Sequence, residues 1–426
     1  MFRSRNNIFF LLPGLMFALA SGTVFANGMR LVSQDGLATA RGEAFVATAD
    51  NASAVYYNPA GISQINGNQV RIGVYGINFN PTFEPPDTAP NNGNKYHVKQ
   101  TTALAPQLFF THEIEDTPIT FGIGSYAPYG AGLDWPDDTG FYSVAKSSQV
   151  TYLRLNPVLA IKILPGLSFA GGVMADYAKI ELGQGLSSTA TPLANHFEYS
   201  GDGFSVGYNL GLLWQVHPTI SVGATFRSKT SFATKGNTEF ESQPVYAITR
   251  QKAEASFDFP LTAAAGISWR PSPKWNCEVD VDYTDWSVFD TVTIHQENPT
   301  GLFAVPQDMP VDLYWKASWM YSVGVTRYFD NGWNASVGYA FNQNSVPDNY
   351  YSPLAADLDR HFVSCGIGFS GKKYQCNIAY QFGYGPERTV TGSLPSTPPA
   401  YFTGQTADGT YGFISHAVLI TVGVRF

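Results

Sequence analysis

From Asn68 onward the chain alternates apolar and polar residues with a period of two. Trp333, Ala335, Val337, Tyr339 and Phe341 share one face, and Asn334, Ser336, Gly338, Ala340 and Asn342 share the other. Val206 to Val216, Ile220 to Phe226 and Val418 to Phe426 repeat the pattern. A period of two is the signature of a β-strand between two different environments. Fourteen such segments can be counted, the first near 69–83 and the last near 411–426. Their connections alternate in length. Tight turns such as "LPG", "HP" and "FDNG" take turns with long segments such as 128–148, 186–202 and 388–410. Residues 27–67 differ: "QDGLATARGEAFVATADNASA" is Ala-rich, has no two-residue alternation, and suits short helices and turns.

The polar faces decide between a soluble sandwich and a membrane barrel. In "WNCEVDVDYTDW", Glu278, Asp280 and Asp282 lie in line on one face, opposite Trp275, Cys277, Val279, Val281 and Tyr283. Three acids in a row are costly to bury in a sandwich core. Aromatics sit near the ends of the apolar stripes, as with Trp275 and Tyr283 or Trp333 and Phe341. Girdles of this kind mark the two interfaces of a bilayer, and an even strand count with alternating short and long connections fits a bacterial barrel. The expected fold is therefore all-β, a fourteen-stranded antiparallel transmembrane β-barrel over 68–426. The N-terminal hatch of short helices and turns, 27–67, is expected in its lumen.

Composition agrees with this. Aromatics are 15% and charged residues only 14%, with 41 glycines. The mean hydropathy of −0.09 is no argument against a barrel, whose polar lumen face offsets its lipid face. A net charge of −8 disfavours nucleic acid as a partner. The start "MFRSRNNIFFLLPGLMFALASGTVFANG" has a basic head, a short apolar run and Val24-Phe25-Ala26 before a cleavage point. This predicts a signal peptide over 1–26. Cys277, Cys365 and Cys376 show no C-x-x-C spacing, so neither a metal site nor a disulfide scaffold is expected. All three fall on apolar faces; Cys365 and Cys376 flank a tight turn and are candidates to face one another. No cofactor is expected, and no nucleophile set for an enzyme can be assembled. Asp359 and Arg360 read as a lumen or rim ion pair.

Several stretches together resemble the FadL family of outer-membrane channels for hydrophobic compounds. They are "DNASAVYYNPAGI", "FDFPLTAAAGISWRPSPKWNCEVDVDYTDWSVFDTVTI" and "YWKASWMYSVGVTRYFDNGWNASVGYAFNQNSVPDNYYSPLAADLDRHFVSCGIGF", with the ending "SHAVLITVGVRF". The resemblance covers essentially the whole chain after the leader. It implies that Asn58, Pro59 and Ala60 lie in the hatch, and that a hydrophobic molecule crosses passively. Capture by loops is followed by lumenal binding, hatch movement and sideways release at a bend in the third strand. In that strand, "TFGIGSYAPYG", Gly122, Gly124 and Pro128 would weaken the ladder and permit a bend. Leu133, Trp135 and Phe141 are candidate capture residues. Lys316 stands where fatty-acid members carry a carboxylate-binding lysine. The second basic partner is missing, since "DYAKIELG" offers Leu182 and only Lys179. Met29 and Leu31 are candidates to enter the pocket from the hatch.

Long-chain fatty acids are the first substrate class implied, with neutral aromatic or alkyl hydrocarbons as the alternative. A general porin is the rival outside the family. The implied partners are outer-membrane lipid and lipopolysaccharide, and the barrel-assembly machinery through the terminal Phe426, with the chain acting as a monomer. The implied location is the outer membrane of a Gram-negative bacterium.

Overall fold

The computed structural model describes residues 28–99, 101–185, 196–242, 247–298, 306–394 and 405–426. The signal peptide expected over 1–26 lies outside them. The sheet closes on itself as a barrel of fourteen antiparallel strands. They are β1 (Asn68–Glu84), β2 (Tyr96–His97 with Thr102–Glu113), β3 (Ile119–Tyr126 with Gly130–Asp134), β4 (Ser147–Leu164), β5 (Leu167–Gly185), β6 (His196–His217) and β7 (Ile220–Arg227 with Thr230–Ser242). The ring continues through β8 (Ala247–Phe259 with Thr262–Ser272), β9 (Trp275–Thr284 with Thr291–Gln296), β10 (Asp308–Asp312 with Ser318–Tyr328), β11 (Trp333–Asn342), β12 (Arg360–Ser370), β13 (Tyr374–Val390) and β14 (Gly409–Arg425). β14 returns to β1 in register from Gln69 opposite Arg425 to Glu84 opposite Thr410. Closure leaves no free edge at the seam, which is what a sheet in hydrocarbon requires. All fourteen segments expected from the alternation are present.

Burial follows the stripe. On β6, Val206, Tyr208, Leu210, Leu212, Trp214 and Val216 are exposed on the outer face, while Asn209 and Leu213 are buried. Trp214, Trp269, Trp275, Trp333 and Tyr374 lie outward near the short-turn end, and Trp319, Tyr321, Tyr339 and Tyr380 lie outward higher up. These are two aromatic levels around an apolar band.

The segment 28–67 fills the lumen, with helices α1 (Gly36–Ala40) and α2 (Ala54–Tyr57) and a 3₁₀ turn at Pro59–Gln64. The row of acids on β9 is its seat. Glu278, Asp280 and Asp282 are all buried. Arg41 donates to Glu278 at 2.9 Å, Arg30 to Asp282 at 2.5 and 2.8 Å, and the Phe45 and Val46 amides donate to Asp280 at 2.7 and 2.9 Å. Asp35 caps α1 and pairs with Arg71 of β1. Buried charges of this kind are tolerable only when paired and hydrogen-bonded.

Two expectations are corrected. Register places Cys365 opposite Tyr380 and Cys376 opposite Phe369, so the two cysteines do not face one another, and all three are free. Asp359 and Arg360 form no ion pair. As neighbours in an extended chain they point apart. Asp359 accepts from Asn344, whereas the carboxylate nearest Arg360 is Asp357, at 3.9 Å.

Candidate functional site

Strands β8, β9 and β10 are all interrupted on the long-loop side of the barrel. Pro260, which has no amide hydrogen for the ladder, follows Phe259 in β8. In β9 a turn at Trp286–Val288 follows Thr284. In β10 the break contains Tyr314, at φ 44° in the left-handed region, which turns the chain between Leu313 and Trp315. Backbone bonds from Leu313 to Asp290 (2.7 Å) and from Trp315 to Phe289 (2.9 Å) hold the two breaks together. The breaks aim Phe259, Phe289, Leu313 and Trp315 at one internal cavity of about 60 Å³.

Its remaining wall includes Val150 of β4, Ile180 and Leu182 of β5, Phe257 of β8, Leu354 and Ala355 of the loop before β12, and Met29, with Ser148 and Ser352 also lining it. No lining residue is ionisable. Phe289 stacks on Trp315 with centroids 5.1 Å apart, and Trp286 backs both rings at 5.4 Å. Trp286 in turn lies against Gly28, where an added Cβ would meet the indole at 2.8 Å. On the long-loop side a groove of about 320 Å³ shares Leu182, Val311, Leu313, Ser352 and Leu354 with the cavity. Phe197, Ile294, Met309, Tyr350 and Leu394 also line it, and Asp312 is its one carboxylate or cationic side chain. An apolar groove that shares a wall with an apolar cavity can take up a hydrophobic molecule and sort it by shape.

The third strand is interrupted between Tyr126 and Gly130. β2 and β3 pair from Glu113–Thr120 only as far as Leu108–Ser125. Beyond that point β3 is interrupted at 127–129 and its upper part pairs with β4 alone. The two strands meet again at the top, where the Lys99 amide donates to the Asp134 carbonyl at 2.8 Å. Between these points no ladder pairing joins β2 to β3 among the described residues, and the N-terminal segment lies against the break. The Leu31 amide donates to the Pro128 carbonyl, and the Gly130 amide to the Met29 carbonyl, both at 2.8 Å. The Gln34 side chain donates to the Ala127 carbonyl at 2.9 Å. Gly122 faces the hatch directly, since a Cβ there would meet Ile62 and Val55 at 2.9 Å. Gly124 lies against Phe109 and Tyr126.

Of the residues anticipated for binding, Met29 lines the cavity and Leu31 is buried in the same apolar cluster. Leu133, Trp135 and Phe141 come together, though not as exposed capture residues. They are buried, with Trp135 and Phe141 5.5 Å apart, both rings against Phe83, and the Trp135 indole donating to the Pro353 carbonyl at 3.0 Å. They hold a long loop across the barrel mouth. Lys316 is exposed, and its amide donates to the Ser345 carbonyl at 2.8 Å. Its neighbour Trp315 takes the inward position. Asn58, Pro59 and Ala60 lie deep in the lumen, away from the cavity. Asn58 caps the 3₁₀ turn and donates to the Val46 and Leu212 carbonyls at 2.9 Å each, so it ties the hatch to itself and to β6. Pro59 occupies the first turn position, where a missing amide hydrogen costs nothing. Trp315, Phe289, Phe259 and Arg30 escaped sequence reading. The signal for the first three was an interruption of the alternation, at "FDFP", "DWSVFD" and "VDLYW".

The chain matches the family model described as "Outer membrane protein transport protein (OMPP1/FadL/TodX)" over residues 17–424. It is similar to the long-chain fatty acid transport protein of Escherichia coli (strain K12), 24% identical over 420 residues, covering 86% of this chain and 90% of that one. It is also similar to outer membrane protein P1 of Haemophilus influenzae, 24% identical over 417 residues, covering 86% and 87%. Among solved structures, a Pseudomonas aeruginosa FadL homologue superposes with a TM-score of 0.81 at 16% identity, covering 94% of this chain and 100% of that one. The Pseudomonas putida toluene transporter TodX superposes at 0.72, also at 16% identity, covering 94% and 100%. At these identities the superpositions speak for the fold.

Proposed function

The chain belongs to the OMPP1/FadL/TodX family of outer-membrane transport proteins, and from that premise we propose that its substrate is an uncharged hydrophobic compound, such as an alkylated aromatic. It is an outer-membrane β-barrel transporter of hydrophobic compounds in a Gram-negative bacterium. Relatives include both long-chain fatty acid and toluene transporters. The observation that carries the choice is the lining of the cavity, which has no cation and is built mainly of aromatic and large aliphatic side chains, Phe257, Phe259, Phe289 and Trp315 among them. Leaving a carboxylate there unpaired costs several kcal/mol, on the order of the desolvation penalty for a buried ion. Leu182 occupies the wall where a basic residue would be needed, and Lys179 is paired with Glu181 at 2.7 Å.

The route runs from the outer groove into the cavity, past Met29, and out through the break between β2 and β3 into the lipid. Gly122, Gly124 and Pro128 serve that break, and Leu133, Trp135 and Phe141 serve as the frame of the mouth. The hatch filling the lumen supports this path over a general porin. The reading needs no catalysis and no cofactor. A closed ring needs no second chain, so one barrel is the working unit, surrounded by lipid and lipopolysaccharide. The terminal Phe426, exposed at the end of β14, is the proposed handle for barrel assembly.

Equilibrium binding of a neutral alkylbenzene and of oleate to the purified barrel, followed by tryptophan fluorescence from the Trp286 and Trp315 cluster, tests this. Binding of the alkylbenzene, unchanged in Lys316→Ala, is the expected result. Oleate binding that disappears with Lys316 would return the protein to the fatty-acid class.

A further inference from the structure

The proposed route requires the N-terminal segment to leave the break between β2 and β3, and one side chain supplies the ion pair that holds it. Residues 28–34, "GMRLVSQ", carry a single charge, Arg30. Its guanidinium reaches across the lumen to β9, donating to both oxygens of Asp282 at 2.5 and 2.8 Å and to the Thr284 hydroxyl at 3.0 Å. Arg30 is 4% exposed, and Arg30 is the one ion-pair partner of Asp282 among the described residues. The body of the hatch is fixed differently. Asp35 with Arg71, Arg41 with Glu278, and the Phe45 and Val46 amides with Asp280 pin residues 35–48 at several independent points. The hatch therefore divides into a body pinned by several ionic contacts and a segment whose one ion pair is the Arg30 clamp, the rest being hydrogen bonds, two of them to carboxylates: the Gly28 amide to Asp357 at 3.4 Å and the Ser33 hydroxyl to Glu43 at 2.8 Å.

Each half of the clamp is tied to the cavity wall through a near neighbour in the chain, although Arg30, Asp282 and Thr284 do not line it themselves. Met29, next to Arg30, lines it. Trp286, two residues after Thr284, backs its aromatic wall and packs against Gly28. A molecule filling the cavity must press on Met29 or on the ring cluster, and so on one end or the other of the clamp. We propose that the Arg30–Asp282–Thr284 clamp is a ligand-sensitive latch: its closure competes with filling of the cavity, and its release frees Met29–Leu31 from the break between β2 and β3. This rests on the transport route proposed above. Arg30 is a positioning residue, since it acts on the gate strand and not on the substrate. If the closed state dominates at rest, the apparent affinity of a ligand is lowered by the fraction of protein that is open. Weakening the latch then tightens binding and speeds passage.

The test compares wild type with Arg30→Met, the doubly neutral Arg30→Met/Asp282→Leu, and the exchanged pair Arg30→Asp/Asp282→Arg. The double variant leaves no unpaired buried charge, which separates unlatching from misfolding. Heat-dependent gel mobility checks that each barrel has formed. Two readouts are taken: alkylbenzene binding with uptake into proteoliposomes, and the thiol-labelling rate of Met29→Cys in a background with Cys277, Cys365 and Cys376 replaced by serine. The first two variants are expected to bind and pass the alkylbenzene about tenfold better and to label faster, with the exchanged pair moving back toward wild type. Folded latch variants with wild-type labelling and wild-type binding would overturn the latch. Faster labelling without alkylbenzene uptake by any form, wild type included, would keep the latch and reject the transport reading.

Discussion

Replacing Glu278 by alanine should unseat the hatch and leave the barrel standing. One oxygen of Glu278 accepts from the Ala47 and Thr48 amides at 2.6 and 3.2 Å. The other accepts from Arg41 at 2.9 Å and from the Thr48 hydroxyl. Arg41 keeps only Asn276, at 2.7 Å, and two of its guanidinium nitrogens already lack partners. Removing one member of a buried ion pair costs about 3–5 kcal/mol, because the other charge stays buried. Each stranded amide adds about 1–3 kcal/mol. The total approaches the stability of a small domain, about 5–15 kcal/mol, and it falls on the contact between hatch and wall. The ladders of β8, β9 and β10 run through backbone atoms and are untouched. The expected phenotype is a heat-modifiable barrel whose hatch is cut by protease added from the short-turn side, and which conducts ions in a planar bilayer. A variant as silent and as protected as wild type would refute this account of the seat. Adding Arg41→Met should recover part of the loss, since the stranded charge goes with it, and the double-mutant cycle measures how much.

Other expectations follow from particular positions. Leu182→Arg would place a cation in the wall of the cavity, so oleate binding should rise and alkylbenzene binding fall, both read by tryptophan fluorescence. Gly211→Val should loosen the hatch, because a Cβ there would meet the Pro59 ring at 2.8 Å; faster proteolysis within 28–67 is the readout. Cys365 and Cys376 should both react with a membrane-permeant maleimide without prior reduction, and mass analysis of oxidised protein should find no bond between them.

The barrel was legible because a strand with lipid on one side and a wet or plugged lumen on the other must alternate, and a one-residue slip would turn every side chain to the wrong face. The same rule explains a failure. Lys316 and Trp315 are adjacent, so only one can point inward, and the left-handed Tyr314 before them decides which. Nothing in the alternation reports that turn, because the alternation stops there. The acids on β9 were visible as a row, yet their partners lie more than 200 residues away in the chain, as with Arg41 and Glu278. No local pattern connects them. Trp135 and Phe141 looked exposed because they sit in a long loop, but the loop folds over the mouth and buries them in one apolar cluster with Leu133 of β3.

The lumen is built in two storeys, and the division has a physical reason. Toward the short-turn end one side of the hatch meets the wall through Arg41, Asp280, Glu278, Asn276, Asp35 and Arg71, contacts that are directional and charged, while its other side packs Val55, Ala60 and Ile62 in one apolar cluster with Val158, Ala160, Ala170 and Leu213. Toward the long loops the interface is apolar, with Met29, Phe259, Phe289 and Trp315 facing a space they do not fill. Ionic contacts in a low-dielectric interior strongly resist separation, since breaking one strands a charge. Apolar contacts exchange readily for a hydrophobic guest of similar size, because the guest restores what it displaces. A transporter of hydrophobic molecules needs both behaviours in one lumen: a plug that stays, and above it a surface that yields to the substrate. Arg30 sits at the boundary, an ionic contact made by the segment that must yield.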